Sequence, residues 1–154
     1  MDWEPWVHFL HVAAALVWVG GGVMLSLVGL RARRSNDAAI VSEFAQLLSY
    51  VGLRVFTPAV VVVLLSGLWM VLAGSEWNLG QTWILLALAA FAAAFLIGAL
   101  YLSRSAIELA RVAAAANLGA ARMAIDRWLT GYAIVLAILL FAVWDMVFKP
   151  GTGA

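Results

Sequence analysis

Residues 82–102 read TWILLALAAFAAAFLIGALYL, twenty-one residues without a charge. A helix needs about 20 mostly apolar residues to cross roughly 30 Å of hydrocarbon. The run is too long and too uniformly apolar for a barrel strand, which alternates over roughly ten residues. In lipid each backbone N–H and C=O must find its partner inside the segment, so this stretch is expected to be a spanning α-helix.

Outward from it, residues 6–30, 55–73 and 128–148 meet the same condition. The expected fold is therefore all-α, a polytopic four-transmembrane-helix bundle forming one domain over residues 1–154. Composition agrees, with 66% hydrophobic and 11% charged residues, against about 45–50% and about 25% in soluble domains. Such a chain cannot cover itself with polar groups in water. The absence of cysteine excludes disulfides, thiolate metal sites and thiol redox chemistry. A cleaved signal peptide would start basic and end in small residues. Here Asp2 and Glu4 open the chain and Arg31, Arg33 and Arg34 close the first apolar run, so it is expected to stay as a membrane helix.

Arginine and lysine set the orientation. Arg31, Arg33, Arg34 and Arg54 lie between spans one and two, and Arg104, Arg111, Arg122 and Arg127 between spans three and four. Only Lys149 lies at the other end. The arginine-bearing links are expected in the cytoplasm, with both termini and the 74–81 loop on the outer side of a cell membrane. Asp2, Glu4, Glu76 and Asp145 fall at that outer edge, with Trp3, Trp6, Trp69, Trp77, Trp83 and Trp144 at the outer interface. Trp128 marks the inner one, and Trp18 is near mid-membrane. This topology accounts for the basic links, so no nucleic-acid partner is expected.

Two features modify the bundle. Residues 38–50 place Ile40, Val41, Phe44, Leu47 and Leu48 at helical spacing, which predicts a short amphipathic helix on the inner surface before span two. Thr57-Pro58 then falls in the first turns of span two, where proline is tolerated. Residues 103–116 are helix-forming, so span three is expected to project beyond the bilayer until Asn117-Leu118-Gly119 breaks it.

The residue most suggestive of chemistry is His11. It lies about 9 Å along the helix axis from Pro5, a depth at which histidine is rarely unpartnered. Ala14, Ala15, Trp18, Gly22 and Leu25 share its face, and their small members leave a groove for a flat ligand or a neighbouring helix. One outcome is an axial ligand to haem b; the other is a hydrogen bond across the bundle. His8, about 60° around the helix, could line the same groove or simply sit at the wet interface. The run Gly20-Gly21-Gly22 with Ser26 and Gly29, and later Ser66, Gly67, Ala90, Ala94 and Gly98, is expected to serve close packing. Asp145 is expected to pair with Lys149 at i+4, or alternatively to orient one of the histidines. Arg54 could meet an anionic headgroup or a propionate, or snorkel. Met70 and Met146, both at the outer end, keep a copper site open, since copper favours thioethers.

Leu10-His11-Val12 followed by Trp18-Val19-Gly20-Gly21 resembles the opening of a superfamily of small membrane proteins. It includes the HemJ-type protoporphyrinogen oxidases, the copper-resistance D family and a family of predicted integral membrane proteins with a domain of unknown function. Phe56-Thr57-Pro58-Ala59, Ser66-Gly67-Leu68-Trp69, Gly80-Gln81-Thr82-Trp83 and Val143-Trp144-Asp145-Met146-Val147-Phe148-Lys149-Pro150 look most like the last of these. The resemblance implies haem b on His11 and a link to porphyrin or redox chemistry. Span three lacks the lysine and histidine of the oxidases, so whether the chain is an enzyme stays open.

The sequence thus predicts a small membrane protein with haem b on His11, the site drawing on His8, Trp18, Gly22, Arg54 and Asp145. The alternative is a non-enzymatic transport or interaction protein, copper-related or an oligomeric scaffold. A homodimer is expected in either case, since one histidine per chain becomes two facing ligands across a two-fold axis.

Overall fold

The computed structural model describes residues 3–74 and 77–151. Met1, Asp2, Ser75, Glu76 and the tail beyond 151 lie outside the described residues, including two of the acidic positions expected at the outer edge, Asp2 and Glu76. Helix α1 runs Glu4–Arg34, α2 Ala38–Val51, α3 Thr57–Ala73, α4 Thr82–Leu96, α5 Ser103–Ala114 and α6 Leu118–Phe148. Four continuous helices are long and apolar enough to cross a membrane: Glu4–Arg34, Ala38–Ala73, Thr82–Ala114 and Leu118–Phe148. The protein is an all-helical integral membrane bundle, as its hydropathy predicts.

The buried face of α1 carries His11, Ala14, Trp18, Gly22, Leu25, Gly29 and Ala32. That three-and-four spacing is one stripe of a 3.6-residue helix. Arg31, Arg33 and Arg34 gather at the opposite end of the helix from His8 and His11, so the bundle has an arginine end and a histidine end. The start of α1, the end of α6 and the 77–81 turn lie at the histidine end.

The second and third long helices are each interrupted by one π-helical turn, Gly52–Phe56 and Ile97–Leu102. A π turn closes i→i+5 hydrogen bonds, and here Thr57 N and Ser103 N donate to the Gly52 and Gly98 carbonyls. In both, a hydroxyl five residues on supplies a donor: Thr57 Oγ1 to the Gly52 carbonyl and Ser103 Oγ to the Gly98 carbonyl, each at 3.1 Å. The first π turn also answers Pro58, which lacks an N–H and would press on the carbonyl four residues back in a plain α-helix. Pro58 is therefore interior to a long helix, not at the start of one.

The amphipathic segment before span two forms as the helix Ala38–Val51. It continues through the π turn into α3, and its apolar residues Val41, Phe44 and Leu48 enter the core beside Leu109, Val112 and Ile125. Helix α6 begins at Leu118, ten residues before the expected span, because Asn117 caps it by accepting from Ala120 N at 3.0 Å. At this end Arg33 pairs with Asp126, and Arg122 Nη2 donates to Asn36 Oδ1 at 2.6 Å and to the Ser35 carbonyl at 3.2 Å. Exposed links of this kind stabilise by only about 1 kcal/mol or less; they set which helices meet.

Several glycines receive a ring from elsewhere in the chain, whereas Gly20 and Gly98, also expected to serve close packing, face open space. Gly22 receives the ring of Tyr132, Gly29 that of Phe44, Gly131 that of Tyr101 and Gly67 that of His11. Tyr132 Oη donates to the Trp18 and Val19 carbonyls at 3.1 and 3.2 Å, joining α6 to α1 mid-bundle. Its ring stacks on Trp128 at 5.4 Å.

Packing is uneven along the bundle. Helices α2 and α5 touch at the arginine end, whereas their continuations α3 and α4 make almost no backbone contact. The space between α3 and α4 is the candidate site.

Candidate functional site

A cleft of about 220 Å³ opens between α3 and α4 at the histidine end. Helix α1 supplies His8 and His11; Val63, Gly67 and Met70 come from α3, Trp83, Ala87 and Phe91 from α4, and Met146 from α6, with Trp77 and Lys149 completing the end. Exposed Leu64, Leu68 and Leu88 also line it, so the cleft opens sideways between the helices. The aromatic walls are ordered: Trp77 meets Trp83 edge-on at 5.4 Å, and Phe91 meets Trp18 edge-on at 6.0 Å. Trp83 is 6% exposed and belongs to the protein interior instead of the lipid interface.

His11 is buried, with Nδ1 3.0 Å from Ser66 Oγ. The direction of that bond follows from the serine's single proton. Ser66 Oγ already donates to the Val62 carbonyl at 2.5 Å and lies 3.3 Å from the Val63 carbonyl. With that proton on a backbone carbonyl Ser66 Oγ accepts from Nδ1–H, and in that tautomer a lone pair remains on Nε2. Among the described residues Ser66 holds the ring at Nδ1, and the Val63 backbone is a further hydrogen-bond partner of the imidazole. Gly67 lets the ring lie against α3, since a Cβ there would come within 3.0 Å of His11 Cε1. Ser66 and Gly67 thus act as a pair, one orienting the imidazole and the other making room for it. Sequence pattern alone assigns both to packing.

The other expected site residues divide. His8 is exposed and lines the same cleft as His11. Trp18 is buried and does not line the cleft, but meets the lining residue Phe91. Gly22 offers no groove, because Tyr132 fills it. Arg54 sits in the first π turn, twelve residues before Ser66 and so about 18 Å away along the helix axis.

Asp145 is fully buried, and neither carboxylate oxygen has a hydrogen-bond partner among the described residues. It therefore orients neither histidine there. The expected Asp145–Lys149 pair does not form either. Lys149 ends the helix with φ 43°, outside helical geometry, and its Nζ stands over the rings of Trp77 and Trp83 at 4.5 and 5.4 Å. That cation–π placement moves the ammonium to the cleft. Met70 and Met146 both line the cleft, a juxtaposition that their positions in sequence only hint at. No group of three or more His, Cys, Asp or Glu residues that could hold a metal ion occurs among the described residues.

These features define a polytopic α-helical membrane protein with a lateral, histidine-bearing cleft. A family model described as a predicted integral membrane protein, DUF2269, matches residues 5–150, and the chain belongs to that family. Searches of curated proteins and of solved structures give no match.

Proposed function

We propose that this protein binds a ligand in the lateral cleft through His11 Nε2, with haem b the leading candidate. What carries the reading is the Ser66–His11 bond. Histidines that ligate metals usually donate their other N–H to a fixed acceptor, which sets tautomer and ring orientation. The donor set fits an axial ligand, with apolar walls around it and Lys149 as a cation suited to a carboxylate. The volume fits less fully: about 220 Å³ is below the roughly 300–1,000 Å³ of enclosed ligand pockets. Only part of a macrocycle would be surrounded by protein, and the rest would meet lipid. Haem would supply redox chemistry; the chain supplies a fixed imidazole, an apolar wall and exclusion of water.

Freshly purified protein is expected to show a Soret band that disappears in His11→Ala. Ser66→Ala is expected to retain it with affinity roughly 10–100-fold lower, the usual consequence of losing such a supporting bond. Colourless protein that also refuses added haem would end this reading.

One observation favours a second reading. Two imidazoles and two thioethers line one cleft, a soft donor set suited to monovalent copper. Elemental analysis would then find copper that is lost when Met70 and Met146 are both replaced by leucine, and unchanged copper content would sink it.

For orientation, we propose the arginine end in the cytoplasm, on the excess of basic residues there. Because the chain has no cysteine, single cysteines at Ser35, Asn117 and Leu79 can be labelled without background. Ser35→Cys and Asn117→Cys are expected to label only from inside, and Leu79→Cys only from outside. Labelling of positions 35 and 117 from opposite faces would contradict it.

A further inference from the structure

A second cavity, of about 350 Å³, lies between α1 and α2 at the arginine end, lined by Val28, Arg31, Ile40, Glu43, Phe44 and Leu47. Its two charges are opposite in sign and both residues are exposed. Two neighbouring arginines are engaged, Arg33 by Asp126 and Arg122 by Asn36. Among the described residues, Arg31 and Glu43 have no ion pair or side-chain hydrogen bond, with each other or with any other group. Two opposite charges sharing a cavity without closing on each other leave room for a group that is itself charged both ways.

The depth is right for a headgroup. Arg31 stands about 40 Å along the axis from Glu4, and a bilayer with its headgroup layers is roughly 40–45 Å thick. Val28, Ile40 and Leu47 give the cavity an apolar side for the first methylenes of an acyl chain.

We infer that this cavity is a binding site for one phosphatidylethanolamine, with its phosphodiester on Arg31 and its ammonium on Glu43. A guanidinium presents a planar fork of N–H donors that matches two phosphate oxygens. A primary ammonium has three N–H donors for a carboxylate. Phosphatidylcholine keeps the positive charge but has no N–H to give. Phosphatidylglycerol has no cation, and its net negative charge is repelled by Glu43. The site therefore ranks the three lipids in that order and operates whichever face of the membrane the arginine end occupies. It is independent of the histidine cleft.

The test uses the full chain in detergent with dioleoyl phosphatidylethanolamine, phosphatidylcholine or phosphatidylglycerol, counting lipid adducts by native mass spectrometry. Phosphatidylethanolamine is expected to be retained roughly tenfold more tightly than the others, the effect of one charge-assisted hydrogen bond. Glu43→Gln is expected to erase that preference, Arg31→Gln to lower retention of all three, and Glu43→Arg to shift preference to phosphatidylglycerol. Both side chains are exposed, so melting of the lipid-free variants is expected to match the parent. Equal retention of phosphatidylglycerol and phosphatidylethanolamine by the parent, or an undiminished preference in Glu43→Gln, would overturn the inference.

Discussion

Gly22→Ala is expected to destabilise the bundle by about 3 kcal/mol, the upper range for forcing extra volume into a packed core. The added Cβ would overlap the Tyr132 phenol. The ring cannot step aside cheaply, because its hydroxyl is held by the Trp18 and Val19 carbonyls and its face is stacked on Trp128. Relief would require α1 and α6 to separate where they cross. Two companions isolate the cause. Tyr132→Phe keeps the ring and removes only the hydroxyl, at about 1 kcal/mol. Combining Gly22→Ala with Tyr132→Ala removes the obstacle, so the double variant should lose clearly less than the sum of the two single changes. Reversible unfolding in mixed micelles measures these variants, Tyr132→Ala alone and the parent. Gly22→Ala with parental stability would mean that α1 and α6 do not meet as described.

The second large effect has the opposite sign. Asp145→Leu is expected to stabilise the protein by about 2 kcal/mol, because a buried carboxyl without hydrogen bonds loses its hydration for nothing in return. Asp145 is 0% exposed and both its oxygens are unpaired among the described residues. It does not line the histidine cleft, whereas its neighbour Met146 does. Any absorbance that depends on His11 should therefore survive the change. The same unfolding titration gives the stability, and a spectrum of the same sample gives the ligand. A loss of 2 kcal/mol instead would show that the carboxyl has a compensating partner. Polar groups kept within a membrane at such expense tend to have a task, so the stabilised variant is also the natural one to assay in cells.

The spans were readable because lipid imposes one simple rule, and residues 82–102 obey it unaided. Which neighbour each helix chooses was less readable. Val41, Phe44 and Leu48 form the same apolar stripe whether they face acyl chains or α5, and hydropathy has no term that separates the two. Gly22 looked like open space because Tyr132, which fills it, comes from 110 residues away. The site was half visible. Histidine at membrane depth stood out by its rarity, and His8 with His11 does line one cleft. Ser66 and Gly67 passed as packing residues because their role exists only once α3 lies against α1. Asp145 and Lys149 have the spacing of a helical ion pair, yet the helix ends at the lysine. Spacing rules hold only while the helix does.

The π turns mark where this protein can lose a residue without losing its packing. Each is one residue in excess of the α-helical repeat, taken up within a single wider turn. Shortening residues 97–102 by one would let the backbone relax into an ordinary turn, with the segments on either side kept close to their present phase. The same deletion within residues 103–105 would instead rotate one side against the other by about 100° and draw it in by about 1.5 Å. Leu109 and Val112 would then swing out of the core, although no core side chain had been altered.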